Sequence, residues 1–210
     1  MKAIGIICEY NPFHNGHLYH IKKIKSLYPD YIIILILNGY FLERGEISLL
    51  SKENKIKIAL ENSIDLVLEL PFIFGCQSAD TFANGALKIL NEFKIEKLIF
   101  GSEINDPTII NSIAKKQINN SEFNNKIKEY LNEGVNYPTA IAKALNVDFK
   151  YQPNDLLGIS YAKSILQNNY PIIIETIKRT NNYYDISLDN SVVSATNIRE
   201  KIKNHQDITK

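Results

Sequence analysis

Tryptophan is absent from this 210-residue chain, methionine occurs once, and only two cysteines and three arginines are present. Cys8 and Cys76 are too few and too far apart for a disulfide framework or a zinc knuckle. Both sit beside apolar residues, which reads as buried free thiols. No apolar run approaches the ~18 residues that a membrane span needs. The N-terminus has no basic n-region, long apolar h-region or small-residue cleavage site, so no signal peptide is read and a cytoplasmic location is expected. An excess of either charge is missing too: Lys+Arg 24 against Asp+Glu 23 gives a net charge of +1. Whole-molecule attraction to nucleic acid is therefore weak, and any RNA contact must use a local patch.

The scarcity of arginine is itself informative. In a chain that otherwise uses lysine, Arg44, Arg179 and Arg199 stand out, because a planar guanidinium fork does what an ammonium cannot. Bidentate anion contacts are expected at those three places.

A hydrophobic share of 45% and a charged share of 22% are those of an ordinary globular protein. At this length the chain is expected to form one α/β unit over residues 1–210. Apolar strands are expected near Lys2–Cys8, Tyr31–Leu37, Asp65–Leu70 and Lys97–Phe100, separated by helices near Gly16–Leu27, Ser51–Glu61 and Ser78–Phe93. That alternation implies a parallel sheet covered on both faces. The stretch Asp106–Leu145 breaks the rhythm: it is polar, rich in Asn and Lys, helical in pattern and interrupted around Gly134 to Pro138. It reads as a helical insertion at about 106–150, with Asn119-Asn120 and Asn124-Asn125 as solvated surface. Pro153-Asn154-Asp155 is expected to cap a helix from near Leu156, followed by a fifth strand at Pro171–Ile177 and a short last helix from about Ala195 to Lys203.

Chemistry concentrates just after the first strand. Three of the four histidines lie in Glu9-Tyr10-Asn11-Pro12-Phe13-His14-Asn15-Gly16-His17-Leu18-Tyr19-His20. In an open parallel sheet, ligands bind outside the carboxyl ends of the strands, where this loop must lie. His14 and His17, at i and i+3 of a first helical turn, would aim two imidazoles and free helix N–H groups at one anion, and Gly16 would let a nucleotide approach the backbone. Such groups stabilise the charge that builds on departing pyrophosphate in an adenylyl transfer. His20 lies a further i+3 on, and no Cys or carboxylate has ligand spacing with it, so no protein-built metal site is expected. A second segment, Ser194-Ala195-Thr196-Asn197-Ile198-Arg199, offers Ser194 or Thr196 as a helix cap and an arginine one turn on. With the histidine segment it forms a second phosphate-binding mouth.

Several further residues carry two readings. Arg44 belongs either to an active-site loop that closes on substrate or to a solvated pair with Glu43. Glu69 and Glu103 follow strands, as Mg²⁺ holders or as helix caps. Lys22, Lys23 and Lys25 form a solvated helix face or touch RNA phosphates. Of twelve tyrosines only Tyr10, Tyr40, Tyr183 and Tyr184 lie beside the site loops, where base stacking would be useful.

His14-x-Gly16-His17 near the start, with Ser-x-Thr-x-x-Arg near the end, resembles the paired motif of the HxGH nucleotidyltransferase superfamily. The finer pattern is similar to the bacterial tRNA(Met) cytidine acetate ligase family. It runs through Glu9 to His17, Arg44-Gly45-Glu46, Asp65-Leu66-Val67-Leu68-Glu69-Leu70-Pro71, Phe100-Gly101-Ser102-Glu103, Pro153-Asn154-Asp155-Leu156-Leu157-Gly158 and Lys178-Arg179. The resemblance covers residue 1 to about 203 and implies a Rossmann-like parallel sheet with a helical insertion. It also implies an enzyme that activates acetate with ATP and Mg²⁺ as acetyladenylate, then acetylates N4 of the wobble cytidine of elongator tRNA(Met). By position, it carries ATP contacts onto Ile7, Cys8, Glu9, Tyr10, Asn11, Pro12, Phe13, His14, Asn15, Gly16, His17, Leu18, Tyr19 and His20, and onto Gly101, Asn154 and Arg179. His14, His17, Thr196 and Arg199 would be the catalytic groups. Family members have a further region after the last helix. Here only Asn204 to Lys210 follow it, which implies a short form, with a partner chain as one source of the missing tRNA-binding surface. Where the family often shows His-Asp after Lys-Arg, this chain has Tyr183-Tyr184-Asp185.

The residues leave two other readings open: an adenylyltransferase acting on a phosphorylated cofactor precursor, and a non-catalytic nucleotide- or RNA-binding module. The first would need an extra basic pocket. The second would bind ATP and release no pyrophosphate.

Overall fold

The computed structural model describes residues 2–146, 152–179 and 194–206. Five strands, β1 (Ala3–Cys8), β2 (Ile32–Asn38), β3 (Leu66–Leu70), β4 (Lys97–Ser102) and β5 (Ile173–Lys178), form one sheet in the order β3-β2-β1-β4-β5. Every pairing is parallel, with Ala3 opposite Ile32 and Lys97 opposite Ile173.

Alternation along the strands divides the core in two, because successive side chains point to opposite faces. Ile33, Leu35 and Leu37 of β2 join Ile4 and Ile6 of β1 on one face, under Ile21 and Ile24 of α1 (Asn15–Leu27) and Ala59 of α2 (Lys52–Glu61). Ile34 and Ile36 join Ala3, Ile7 and Phe100 on the other face. There they meet Phe82, Leu87 and Leu90 of α4 (Ala79–Glu92) and Ile159 and Ala162 of α8 (Pro153–Asn168). Gly5 is glycine because α4 packs close here: a Cβ would lie 2.6 Å from Ile95 Cδ1 and 2.9 Å from Leu90 Cδ1.

The insertion is helical, as expected, and consists of α5 (Pro107–Asn119), α6 (Ser121–Asn132) and α7 (Tyr137–Leu145). Its Ile110, Ile113, Phe123, Ile127 and Ile141 belong to the same buried cluster as α8. Asparagine builds its corners: Asn120 and Asn136 cap α6 and α7 by accepting from Phe123 N and Thr139 N, and Asn146 ends α7 in the left-handed region at φ 56°. Asn119, Asn120 and Asn125 are exposed, as expected of solvated surface, and the half-buried Asn124 donates from Nδ2 to Gln117 O at 2.6 Å.

Two other expectations change. Helix α8 begins at Pro153, not near Leu156, and Gln152 occupies its cap without a side-chain hydrogen bond. Proline is tolerated there because the first helical N–H groups lack intrahelical partners. A four-residue helix, α3 (Phe72–Gly75), follows β3 unannounced by any periodicity. The last helix, α9 (Ala195–Lys203), has the expected bounds, and Ser194 rather than Thr196 caps it by accepting from Asn197 N at 3.2 Å.

Candidate active site

The carboxyl ends of β1, β4 and β5 open into a cavity of about 640 Å³, a size typical of small-molecule sites. His14, Gly16, His17 and His20 line it from α1, Gly101 from β4, Asn154 from α8, Lys178 and Arg179 from the end of β5, and Thr196 and Arg199 from α9. All three arginines of the chain reach it, while most of the lysines lie elsewhere. Of the 7–20 segment, Pro12, Phe13, Asn15 and Leu18 do not line the cavity. Phe13 instead packs below, with ring centroids 4.9 Å from Tyr10 and 5.6 Å from His17.

Helix α1 starts on an unusual cap. His14 is its N-cap, and its Nδ1 accepts from Gly16 N at 3.0 Å, while Nδ1 of His17 accepts from His14 N at 3.2 Å. The two imidazoles thereby take the reciprocal parts that Ser/Thr and Glu/Gln usually play. With Nδ1 an acceptor on each ring, the neutral form carries its proton on Nε2. Burial, then the nearby Arg179 charge, lowers the His14 pKa to about 4; burial, then His14, holds His17 well below the ordinary value. Near neutral pH both rings are therefore uncharged N–H donors. His20, expected to drift off this face, also lines the cavity. Its Nε2 is buried without a hydrogen-bond partner, and burial lowers its pKa to about 4.

Arg199 closes the opposite side. Nη1 donates to Asn11 O at 2.7 Å and Nη2 to Thr196 Oγ1 at 3.3 Å, so the last helix is tied to the first loop. Arg179 stands with Nε 3.1 Å from Glu103 Oε1, which also accepts from Asn154 Nδ2 at 2.7 Å. Gly101, expected to let the nucleotide approach, lines the cavity, and the space a Cβ would fill lies 3.3 Å from Arg179 Cγ, so its bareness also makes room for that arginine's stem.

The carboxylates are sorted by these contacts. Glu103 orients Asn154 and Arg179 from behind the wall, and Glu69 pairs with Lys52 at 2.8 Å away from the cavity; neither caps a helix. Among the described residues no group of three His, Cys, Asp or Glu side chains is placed to hold a metal ion.

The contacts of three groups escaped the sequence reading, which named Glu9 only as an ATP contact and Asp155 only as part of a helix cap. Asp155, only 2% exposed, accepts at Oδ1 from Ser102 Oγ (2.6 Å), Glu103 N (3.1 Å) and Ile104 N (3.2 Å), and so shapes the loop that carries Glu103. Lys55, fully buried, donates to Asn38 O and Gly39 O at 2.7 Å and to Glu9 O at 3.2 Å, closing the ends of β1 and β2. Glu9 Oε1 accepts from Glu43 N at 2.7 Å, pinning a hairpin in which Phe41 bridges Ile47 and Leu42 N donates to Glu46 O. Asn11 Oδ1 holds the hairpin's far end by accepting from Leu49 N at 2.7 Å. Only the Pro-Asn-Asp and Arg-Gly-Glu segments hinted at these roles.

At that hairpin's tip Arg44 lines the cavity, and its nearest carboxylate, Glu43, lies at 3.9 Å. Of the remaining candidates, Lys25 pairs with Asp65 at 2.6 Å on the flank of α1, and Lys22 and Lys23 are exposed. Tyr10 is buried beneath His17 and Tyr40 donates to Glu53, while Tyr183, Tyr184 and Asp185 lie outside the described residues. Cys8 is half-buried on the cavity wall, and burial raises its thiol to about 12; Cys76 is half-buried as well.

The whole chain, residues 1–210, matches the family model described as HIGH Nucleotidyl Transferase. It is 45% identical to a tRNA(Met) cytidine acetate ligase of Mycoplasma mobile, over 99% of this chain and 71% of that protein. It is 43% identical to the ligase of that name from Caldicellulosiruptor saccharolyticus, over 97% of this chain and 53% of that protein. Among solved structures it is similar to apo Thermotoga maritima TmcAL, with a TM-score of 0.86 and 33% identity over 98% of this chain and 52% of that one. The same enzyme bound with alpha-thio ATP gives a TM-score of 0.81. The chain thus spans about half the length of the latter two relatives and 71% of the first.

Proposed function

The chain belongs to the HIGH nucleotidyl transferase family and, within it, to the tRNA(Met) cytidine acetate ligases, and from that premise we propose that it is an ATP-dependent acetate ligase acting on elongator tRNA(Met). In this reading residues 1–210 act as one nucleotidyltransferase unit in the cytoplasm, where its RNA substrate is. Among the described residues no helix is long and apolar enough to cross a membrane.

The chemistry has two steps. A carboxylate oxygen of acetate attacks the α-phosphorus of ATP, and the bond to the β-phosphate breaks, leaving acetyladenylate and pyrophosphate. The N4 amine of the wobble cytidine then attacks the acetyl carbonyl. The carbonyl–adenylate C–O bond breaks, AMP leaves with that electron pair, and the amine proton passes to solvent.

The convergence of the His14 and His17 donors, the Thr196–Arg199 end of α9 and Arg179 on one cavity carries this proposal. Pre-aimed donors stabilise charge on departing pyrophosphate without reorganising at the moment of reaction. His14, His17, Thr196 and Arg199 take that role. Gly16, Asn154, Arg179 and the lining residues of 7–20 seat the nucleotide. Mg²⁺ enters with the triphosphate, consistent with a cation that keeps most of its waters and binds phosphate oxygens. Surface for the tRNA body comes from a further region or a partner chain.

The test is acetate-dependent exchange of labelled pyrophosphate into ATP. Exchange that requires acetate and is lost in His14→Ala/His17→Ala supports the assignment. Tight ATP binding without exchange would return the chain to the class of binding modules, and exchange driven only by a phosphorylated co-substrate would make it a cofactor adenylyltransferase.

A further inference from the structure

Beside the arginines, the cavity has a second wall that suits no phosphate. Phe82 of α4, Phe100 of β4 and Leu157 and Tyr161 of α8 form an apolar, largely aromatic surface, with Phe100 and Tyr161 edge to face at 5.5 Å. Glu9 and Glu43 line the same cavity, held together by the 2.7 Å bond from Glu43 N to Glu9 Oε1. Burial raises the pKa of both carboxyls, as it does that of the Tyr161 phenol, whose field comes from Cys8, Glu9 and Glu43.

Tyr161 is only 2% exposed and lines the cavity, and among the described residues no protein group hydrogen-bonds its hydroxyl, which leaves that group available to a ligand in the cavity. The Glu43 carboxylate is likewise uncommitted apart from Arg44 at 3.9 Å. A carboxylate beside an apolar wall accepts from an amine. Aromatic walls, an acceptor for an exocyclic amine and a phenol facing the same space describe a planar aminopyrimidine.

We propose that Tyr161, Glu43 and the Phe82–Phe100 wall seat the acceptor base, with Glu43 accepting from its 4-amino group and the Tyr161 hydroxyl donating to ring N3, an acceptor in a 4-amino pyrimidine and a donor in a 4-oxo one. The assignment rests on the acetyl-transfer reading for its biological meaning and stands on its own as a binding site. It makes Tyr161 and Glu43 specificity residues that select a 4-amino over a 4-oxo pyrimidine.

Saturation-transfer NMR on the full chain with cytidine and with uridine tests it, ATP being present throughout. The expected result is stronger transfer to cytidine than to uridine, with cytidine binding about three- to tenfold weaker in Tyr161→Phe and the preference for cytidine diminished. Glu43→Lys, a change at a hairpin tip that leaves the core untouched, is expected to weaken cytidine binding as well, so the proposal survives a Tyr161 variant that fails to fold. Equal binding of the two nucleosides, no cytidine binding, or unaltered preference in the variants would overturn the seat. Absence of acetate-dependent exchange would instead overturn the function while leaving a cytidine preference standing, so the two failures are distinguishable.

Discussion

His14 and His17 fix one another: the Nδ1 of each accepts a backbone N–H of the first turn of α1, at 3.0 Å from Gly16 and 3.2 Å from His14 itself. The helix start and the catalytic tautomer are therefore one arrangement. A substitution that spares the cap but not the Nε2 donor separates the two roles.

His17→Asn does so, since its amide oxygen can still accept from His14 N while the donor falls short of the site. The melting temperature is expected to change by only a few degrees, whereas pyrophosphate exchange falls about 100-fold, in the range of one lost transition-state donor. Wild-type exchange in the variant would remove His17 from the chemistry.

Arg199→Lys tests the fork. Lysine has one nitrogen and cannot bond Asn11 O and Thr196 Oγ1 while also meeting phosphate. Exchange is expected to drop at least about tenfold, the loss of one charged hydrogen bond. A variant as fast as the parent would show that a point charge suffices.

The pH dependence follows from the depressed histidines. Between the unfolded value of 6.5 and the folded value of about 4, the unfolded chain binds more protons at His14 than the folded one does. Its contribution to stability is full above pH 6.5 and is lost as pH falls toward 4. His17 and His20 act in the same direction. Glu9, Glu43 and Glu103, raised by burial, oppose them. Thermal melts from pH 7 to 4 are therefore expected to fall less steeply in His14→Gln/His17→Gln than in the parent. A parallel pair of curves would contradict neutral, buried rings.

Asp155→Ala should cost about 3 kcal/mol, because a hydroxyl and two N–H groups lose their shared acceptor in a buried place. Asp155→Asn, which keeps an acceptor oxygen, should cost less. Urea unfolding measures both, and equal losses would mean that charge rather than acceptance matters.

Gly101→Ala should act on the nucleotide more than on the fold. The new Cβ would sit 3.3 Å from Arg179 Cγ, so the guanidinium must move by a few tenths of an ångström. Steady-state kinetics are expected to show a several-fold higher KM for ATP with stability within about 1 kcal/mol of the parent. An unchanged KM would separate Arg179 from ATP.

What the sequence disclosed and what it hid differ in range. Element bounds are local, and those of β1, β2 and the helices that follow Ser51, Ser78 and Ser194 were legible to within a residue or two, whereas the division of Ile33 to Leu37 between two faces was not, because the run is apolar throughout. That His14, His17, Thr196 and Arg199 face one site was legible because motif and helix start coincide. The contacts of Lys55, Asp155 and Glu9 were not: their partners are carbonyls, amides and the Ser102 hydroxyl lying 16 to 53 residues away, which no periodicity encodes. Gly101 was legible as a residue of the site, whereas only the fold shows Arg179 lying over it.

The Arg199–Asn11 bond spans 188 positions, nearly the whole length of the chain. Synthesis runs from the N-terminus, so the histidine loop emerges directly after β1 and waits through the making of the other four strands before its last partner exists. A nascent chain halted before that helix would present a complete sheet with an open nucleotide mouth. On the proposed reading, ATP consumption would then begin only when translation of this region is finished.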